Sequence, residues 1–120
     1  MLIKTLKSKI HRATVTDAKV DYPGSIGIDS DLLEATGLVP YELVLVADAT
    51  NGNRLETYVV PEPAGSGKIT ILGAAAHLMK KDDIIIIMGF GLLTPEEAKT
   101  FKPKVIVANE KNGIKKTNQN

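Results

Sequence analysis

The sequence contains no cysteine, and only 4% of its 120 residues are aromatic. Without cysteine the chain can form no disulfide, no thiolate metal site and no cysteine nucleophile. Having few aromatic side chains, it offers few surfaces on which nucleic-acid bases could stack. A strong charge of one sign is also lacking. The 15 basic and 14 acidic residues leave a net charge of +1, which gives no general attraction to nucleic acid or to an anionic membrane.

Long apolar runs are missing as well. The longest, "IIIIMGFG" at residues 84–91, is far shorter than the ~20 residues that span a bilayer. The first residues, "MLIKTLKSKIHRA", interleave basic and apolar side chains, which is not typical of a signal peptide. We therefore expect a cytoplasmic protein with no membrane segment.

What the chain does have is 43% hydrophobic residues, enough for an aliphatic core, in a length typical of one domain. Short segments rich in β-branched residues alternate with turn signals and predict strands. These strands are residues 9–16, 42–49, 54–60, 68–72, 84–90 and 104–109. Asn51-Gly52 predicts a hairpin between the second and third strands. The pattern is typical of a mainly β protein and favours a closed barrel with short helices.

Short helices are predicted between the strands, and a frayed polar tail is predicted at the end. The helices are residues 29–37, 73–79 and 94–100, and the tail is about residues 110–120. Asp29, Ser30 or Asp31 can cap the first helix. The last helix has a capping box formed by Thr94 and Glu97.

Two glycine-containing motifs allow more than one interpretation. "GSGK" at residues 65–68 is not a phosphate-binding loop, because Glu62 and Ile69 stand where that motif needs Gly and Ser or Thr. "GAAAH" at residues 73–77 leaves backbone amides accessible, and a helix N-terminus there would favour an anion. Close packing of the helix on a sheet explains the small residues equally well.

The ionisable side chains are also ambiguous. His11 and His77 have no carboxylate or second histidine at helical ligand spacing, so we expect no metal site. Lys9 and His11 share one strand face, and Arg54 and Tyr58 share another. Either pair can bind a ligand or belong to a solvated sheet face.

Taken in order, "KSKIHRATVT", "YPGSIGID", "TNGNRLETY" and "GAAAH" resemble the pyruvoyl-dependent aspartate 1-decarboxylases, from the first strand to about Asn109. The resemblance implies a double-psi β-barrel that assembles as a homotetramer with active sites at subunit interfaces. It also implies a lyase that converts L-aspartate to β-alanine and CO₂ through a Schiff base, for pantothenate biosynthesis. The expected cofactor is a covalent pyruvoyl group, with no metal and no pyridoxal phosphate.

The resemblance also implies how the pyruvoyl group forms. Gly24 leaves its carbonyl unshielded and can adopt backbone conformations closed to other residues. The hydroxyl of Ser25 would attack that carbonyl and divide the chain into residues 1–24 (β chain) and 25–120 (α chain), leaving a pyruvoyl group at position 25. Gly65-Ser66 has the same two residues, but it lies in a flexible loop, and we do not expect cleavage there.

Further roles follow from the same resemblance. Tyr58 would donate the proton to the carbanion, and Thr57 would bind substrate and polarise the carbonyl of Gly24. Substrate binding is also implied for Arg54, Lys9, Gly73, Ala74 and Ala75. Leu72 stands where many members have Asn; its side chain forms no hydrogen bond, which bears on self-cleavage and not on decarboxylation.

Two other functions are compatible with the residues. One is an enzyme of this fold that acts on another amino acid, such as glutamate. The other is a non-enzymatic small barrel that binds RNA or a protein edge through its basic first strand. The near-neutral charge and few aromatic residues argue against that second function.

Overall fold

The computed structural model describes residues 1–115, which form nine strands, two short α-helices and one 3-10 helix. The strands are β1 (Ile3–Thr14), β2 (Asp17–Lys19), β3 (Ser25–Asp29), β4 (Leu43–Asp48), β5 (Arg54–Glu62), β6 (Ile69–Leu72), β7 (Ile84–Leu93), β8 (Lys104–Ala108) and β9 (Ile114–Lys115). The helices are α1 (Ser30–Thr36), the 3-10 helix (Gly73–His77) and α2 (Pro95–Ala98). The predicted mainly β class with short helices is confirmed. Over the described range, no helix is long and apolar enough to cross a bilayer.

The strands follow the order β2-β6-β3-β5-β4-β7-β1-β8-β9, and β5 joins the two halves of this order. Its first half pairs antiparallel with β4, up to Leu43 opposite Tyr58. Its second half pairs parallel with β3, beginning with Ile26 opposite Val59. Residues 54–58 therefore have one edge that β3 does not cover.

The segment between β1 and β2 links the two halves a second time. The amide of Val15 donates to the carbonyl of Asp83 at 2.9 Å, just before β7. The amide of Thr16 donates to the carbonyl of Ile69 at 2.8 Å, at the start of β6. The chain thus passes directly from the β7 side of the molecule to the β6 side.

The core between these strands is aliphatic, as predicted. Isoleucine is its commonest residue, and β-branched side chains such as this pack well on a pleated surface. The most buried isoleucines are Ile10, Ile26, Ile28, Ile69, Ile71, Ile85 and Ile87. In β7 buried and half-buried residues alternate from Ile84 to Gly89, so one face of the strand contacts the core.

The predicted helices and hairpin are present. Asp29 caps α1, Thr94 and Glu97 form the capping box of α2, and β4 and β5 pair around the turn at Asn51-Gly52. The helix at Gly73–His77 is of the 3-10 type.

The predicted frayed tail begins at about residue 110, and the prediction is wrong for residues 110–115. Asn112 is only 1% exposed. Its side-chain amide donates to the carbonyls of Thr14 and Gly67, both at 2.8 Å, and its Oδ1 accepts from the amide of Thr14 at 2.8 Å. A polar residue that looks solvated in the sequence is thus buried and paired. The rest of the predicted tail, residues 116–120, lies outside the described residues.

The first strand is also longer than predicted. It begins at Ile3, where it pairs with Leu93, because β7 is long enough to cover it. A register shift between Ile10 and Ala13 contains Arg12, whose φ of 64° marks a bulge.

Candidate active site

An open cleft of about 440 Å³ lies along the uncovered edge of β5. Its walls come from β5, from the chain just before β3 and from the 3-10 helix with its flanking residues. They consist of Gly24, Leu55, Glu56, Thr57, Tyr58, Leu72, Ala74, Ala75 and Leu78. The small alanine side chains leave room beside the backbone of Gly24.

The Gly24-Ser25 bond lies where exposed chain becomes a buried strand. Residues 20–24 are exposed, whereas Ser25 is 4% exposed and starts β3 opposite Leu72 of β6. One side of the bond is therefore fixed by a strand ladder while the other side is open to solvent.

The glycine that requires an unusual backbone conformation is Gly73, not Gly24. Gly73 has a φ of 80°, and a Cβ built on it would lie 2.6 Å from the Cα of Gly24. Gly24 is not among the described residues with positive φ, and the nearest atom to a Cβ built on it is the Leu72 carbonyl oxygen at 3.9 Å. Gly24 therefore does not occupy here the positive-φ conformations that glycine can adopt, and the close backbone contact is made by Gly73.

Thr57 and Tyr58 both line the cleft although neighbouring residues of a strand point to opposite faces. Both side chains can line the cleft because the cleft runs along the edge of the strand and not over one face. Each is half-buried and carries a hydroxyl. The ring of Tyr58 lies 5.9 Å from that of Tyr41, centroid to centroid, with the planes tilted by 32°. Such a tilted aromatic pair restrains the phenol at the cleft.

Arg54 and Lys9 are not brought to the walls of the cleft. Arg54 is exposed at the start of β5, opposite Ala47. Lys9 is half-buried on β1, opposite Met88 and Val105. A single chain thus brings five of the predicted site residues to the walls of one cleft: Gly24, Thr57, Tyr58, Ala74 and Ala75. Ser25 and Gly73 are sequence neighbours of these residues. The two basic residues lie outside the cleft walls.

Comparison with known proteins is decisive. The family model for aspartate decarboxylase matches residues 1–115. Aspartate 1-decarboxylase of Acetivibrio thermocellus is 55% identical over 114 residues, 95% of this chain and 90% of that protein. That of Thermosipho africanus is 59% identical over 109 residues, 91% of this chain and 89% of that protein. That of Bacteroides thetaiotaomicron is 55% identical over 106 residues, 88% and 91% of the two chains.

The chain belongs to the aspartate decarboxylase family. Membership confirms the resemblance inferred from the sequence and the enzyme class that it implies, a decarboxylase. It also argues against the non-enzymatic binding barrel. No group of three or more histidine, cysteine or acidic residues that could hold a metal ion occurs within residues 1–115.

Three cleft residues of this aspartate decarboxylase family member were missed by sequence reasoning: Leu55, Glu56 and Leu78. Leu78 is held in place by the side-chain amides of Asn51 and Asn53, which donate to its carbonyl at 3.3 and 3.0 Å. Glu56 and Leu55 neighbour Thr57 on β5, and the uncovered edge of the strand exposes all of them to the cleft. No sequence motif indicates such an edge.

His11 lies outside the cleft, and its pKa is lowered by burial and by the neighbouring charges of Lys9 and Arg12. Its Nδ1 is buried without a hydrogen-bond partner in the described part of the chain. The ring is therefore neutral near pH 7, and it adds no positive charge beside Lys9.

Proposed function

We propose that this chain is a pyruvoyl-dependent aspartate 1-decarboxylase, which cleaves itself between Gly24 and Ser25 and then converts L-aspartate to β-alanine and CO₂. The observation that carries the proposal is the position of this bond, at the start of a buried strand and beside a cleft lined by Thr57 and Tyr58. We place the reaction in the cytoplasm, as a source of β-alanine for pantothenate biosynthesis.

Self-cleavage uses only the chain and one water. The Ser25 hydroxyl adds to the carbonyl carbon of Gly24, the C–N bond breaks and the nitrogen becomes a free amine, which leaves an ester. Removal of the Cα proton of residue 25 expels residues 1–24 with a free carboxylate and leaves dehydroalanine. Addition of water and loss of ammonia then give the pyruvoyl group.

The residues of the cleft fit this group and its reaction. A ketone at position 25 supplies the electron sink that the carbanion needs when CO₂ departs. The Thr57 hydroxyl donates to the Gly24 carbonyl oxygen as negative charge develops there. The Tyr58 phenol returns a proton to the carbanion, a general-acid role. Backbone groups of Gly73, Ala74 and Ala75 hold the substrate.

We further propose a homotetramer of closed double-psi barrels. The link from β1 to β2, which joins the β7 and β6 sides of the molecule through Val15 and Thr16, supports closure of the barrel. The openness of the cleft and the absence of Arg54 and Lys9 from its walls support a site completed by a neighbouring subunit. There the two cations would bind the carboxylates of aspartate, Arg54 through its planar fork.

The decisive experiment is mass spectrometry of the denatured protein. We expect two fragments, residues 1–24 and the remainder, with the larger one lacking a free N-terminal amine. Ser25→Ala should stay intact and release no CO₂ from aspartate. A preparation that releases CO₂ from aspartate while its chains remain uncleaved would refute the proposal. Comparing CO₂ release from aspartate and glutamate tests the substrate.

A further inference from the structure

Two glycine backbones meet beside the scissile bond, and their steric demands differ. A Cβ on Gly73 would lie 2.6 Å from the Cα of Gly24, 2.8 Å from its nitrogen and 2.9 Å from the carbonyl oxygen of Tyr22. These three atoms are backbone, so no flexible side chain can move aside. Any residue other than glycine at position 73 must displace the chain that enters the cleavage site.

Gly73 also occupies the turn that leads from β6 into the 3-10 helix. Its φ of 80° is strained for residues with a side chain, and its neighbour Leu72 is the register partner of Ser25. Two consecutive residues thus hold the two sides of the bond, Leu72 opposite Ser25 and Gly73 against Gly24. The remainder of the entering chain, residues 20–23, is exposed.

We propose that Gly73 is a positioning residue for self-cleavage, whose bare backbone sets the place of the Gly24 carbonyl relative to the Ser25 hydroxyl. This rests on the proposed function. Self-cleavage requires the Ser25 hydroxyl oxygen to approach the carbonyl carbon of Gly24. Misplacement of reacting atoms by ~1 Å costs on the order of 100-fold in rate. The surface opposite Gly24 therefore controls how often the bond is in a reactive geometry.

Gly67 offers a matched control. Its φ is 69°, and a Cβ built on it would lie 2.6 Å from the carbonyl oxygen of Lys111, also a backbone atom. Gly67 does not line the cleft. Gly67→Ala therefore introduces the same kind of strain and overlap as Gly73→Ala, but away from the cleavage bond.

The experiment compares the parent, Gly73→Ala and Gly67→Ala as full chains. Thermal unfolding gives a melting temperature for each. Cleavage is then followed by mass spectrometry at one common temperature, below the unfolding transitions of all three chains. We expect both variants to be destabilised, Gly67→Ala to cleave at the parental rate and Gly73→Ala to cleave more slowly by a factor on the order of 100.

A second pair of variants keeps the test informative if the alanine variants fail to fold. Asparagine tolerates positive φ, as Asn112 does here at 61°, so Gly73→Asn and Gly67→Asn remove much of the strain and keep the overlap. Parental cleavage in a folded Gly73 variant, or equal slowing in the Gly67 variant, would overturn the inference. Failure of the parent itself to cleave would instead overturn the proposed function.

Discussion

At the scale of single residues, the chain buries a pair of carboxylates that the proposed reaction does not use. Asp48 is 1% exposed and Asp83 is 3% exposed. One oxygen of Asp48 accepts from the amide of Thr50 at 2.7 Å, but its Oδ2 is buried and no donor within residues 1–115 faces it. Burial and the neighbouring Asp83, to which a protonated Asp48 side chain can donate, raise the pKa of Asp48.

The partner carboxyl shifts in the opposite direction. The hydrogen bond from Asp48 lowers the pKa of Asp83 despite its burial, with help from the backbone N–H and the charge of Lys80. At any pH between the lowered pKa of Asp83 and the raised pKa of Asp48, the pair therefore holds a single proton, which is its most stable state.

This predicts a pH dependence that one substitution should remove. When the pH rises above the ordinary aspartate pKa, Asp48 in the unfolded chain loses its proton first, so the free energy of unfolding falls until the raised pKa is passed. The loss is about 1.4 kcal/mol for each unit by which the pKa is raised. In Asp48→Asn an amide hydrogen replaces the proton, and this decline should vanish in urea unfolding measured across pH.

The control for this prediction is Asp82→Asn. Asp82 is exposed, and its φ of 77° is one that asparagine adopts readily. It changes the net charge equally and should keep the parental decline. A parental pH dependence in Asp48→Asn would contradict the shared proton.

Leu72 permits a prediction about self-cleavage. It is the register partner of Ser25 and lines the cleft with an apolar side chain. In Leu72→Asn the amide can donate to the oxygen of the Gly24 carbonyl, so cleavage followed by mass spectrometry should accelerate several-fold, roughly the effect of ~1 kcal/mol from one hydrogen bond. Leu72→Ala, which adds no donor, should not accelerate it. Equal rates in both variants would contradict this explanation.

At the scale of elements, Asp29 connects the start of α1 to the loop before β6. Its carboxylate accepts from the amides of Asp31 at 2.9 Å, Gly65 at 3.0 Å and Gly67 at 2.8 Å, which caps α1 and fastens the loop before β6. Burial alone would raise the pKa of Asp29, but these backbone donors lower it overall. The stability that the carboxylate contributes is therefore present at neutral pH and lost as the pH falls through the lowered pKa.

Removing this carboxylate should therefore be costly. We expect Asp29→Ala to lower the free energy of unfolding by roughly 2–3 kcal/mol, since a helix cap and two further hydrogen bonds are lost. The control is Asp31→Ala, in the same first turn but exposed, with an expected change below about 1 kcal/mol. Urea unfolding at neutral pH measures both. A loss in Asp31→Ala as large as that in Asp29→Ala would show that only charge at the helix start matters.

Elements with local signals could be predicted from the sequence, and elements that depend on distant partners could not. Caps and turn residues indicate both α-helices and the hairpin at Asn51-Gly52. The burial of Asn112 depends on Thr14 and Gly67, which no local pattern identifies. The same holds for the candidate site: Ser25, Thr57 and Tyr58 belong to recognisable motifs, but the contact of Gly73 with Gly24 arises only when β6 folds beside β3.

At the scale of the whole molecule, the position of Lys9 bears on the assembly. In the strand order, β7 and β4 separate β1, which carries Lys9, from β5, which carries Thr57 and Tyr58. Lys9 is also absent from the walls of the cleft. If Lys9 binds a substrate carboxylate, we expect it to do so in the cleft of a neighbouring subunit.

Complementation between two impaired chains tests this arrangement. Lys9→Ala should cleave normally but lose about 10- to 100-fold in kcat/KM, since a hydrogen bond to a charged group contributes ~1.5–3 kcal/mol. Ser25→Ala forms no ketone but keeps its lysine. If the proposed tetramer forms, co-expression of the two variants should recover CO₂ release, because some clefts then combine an intact position 25 from one chain with Lys9 from another. Mixed assemblies no more active than Lys9→Ala alone would place Lys9 in the cleft of its own chain.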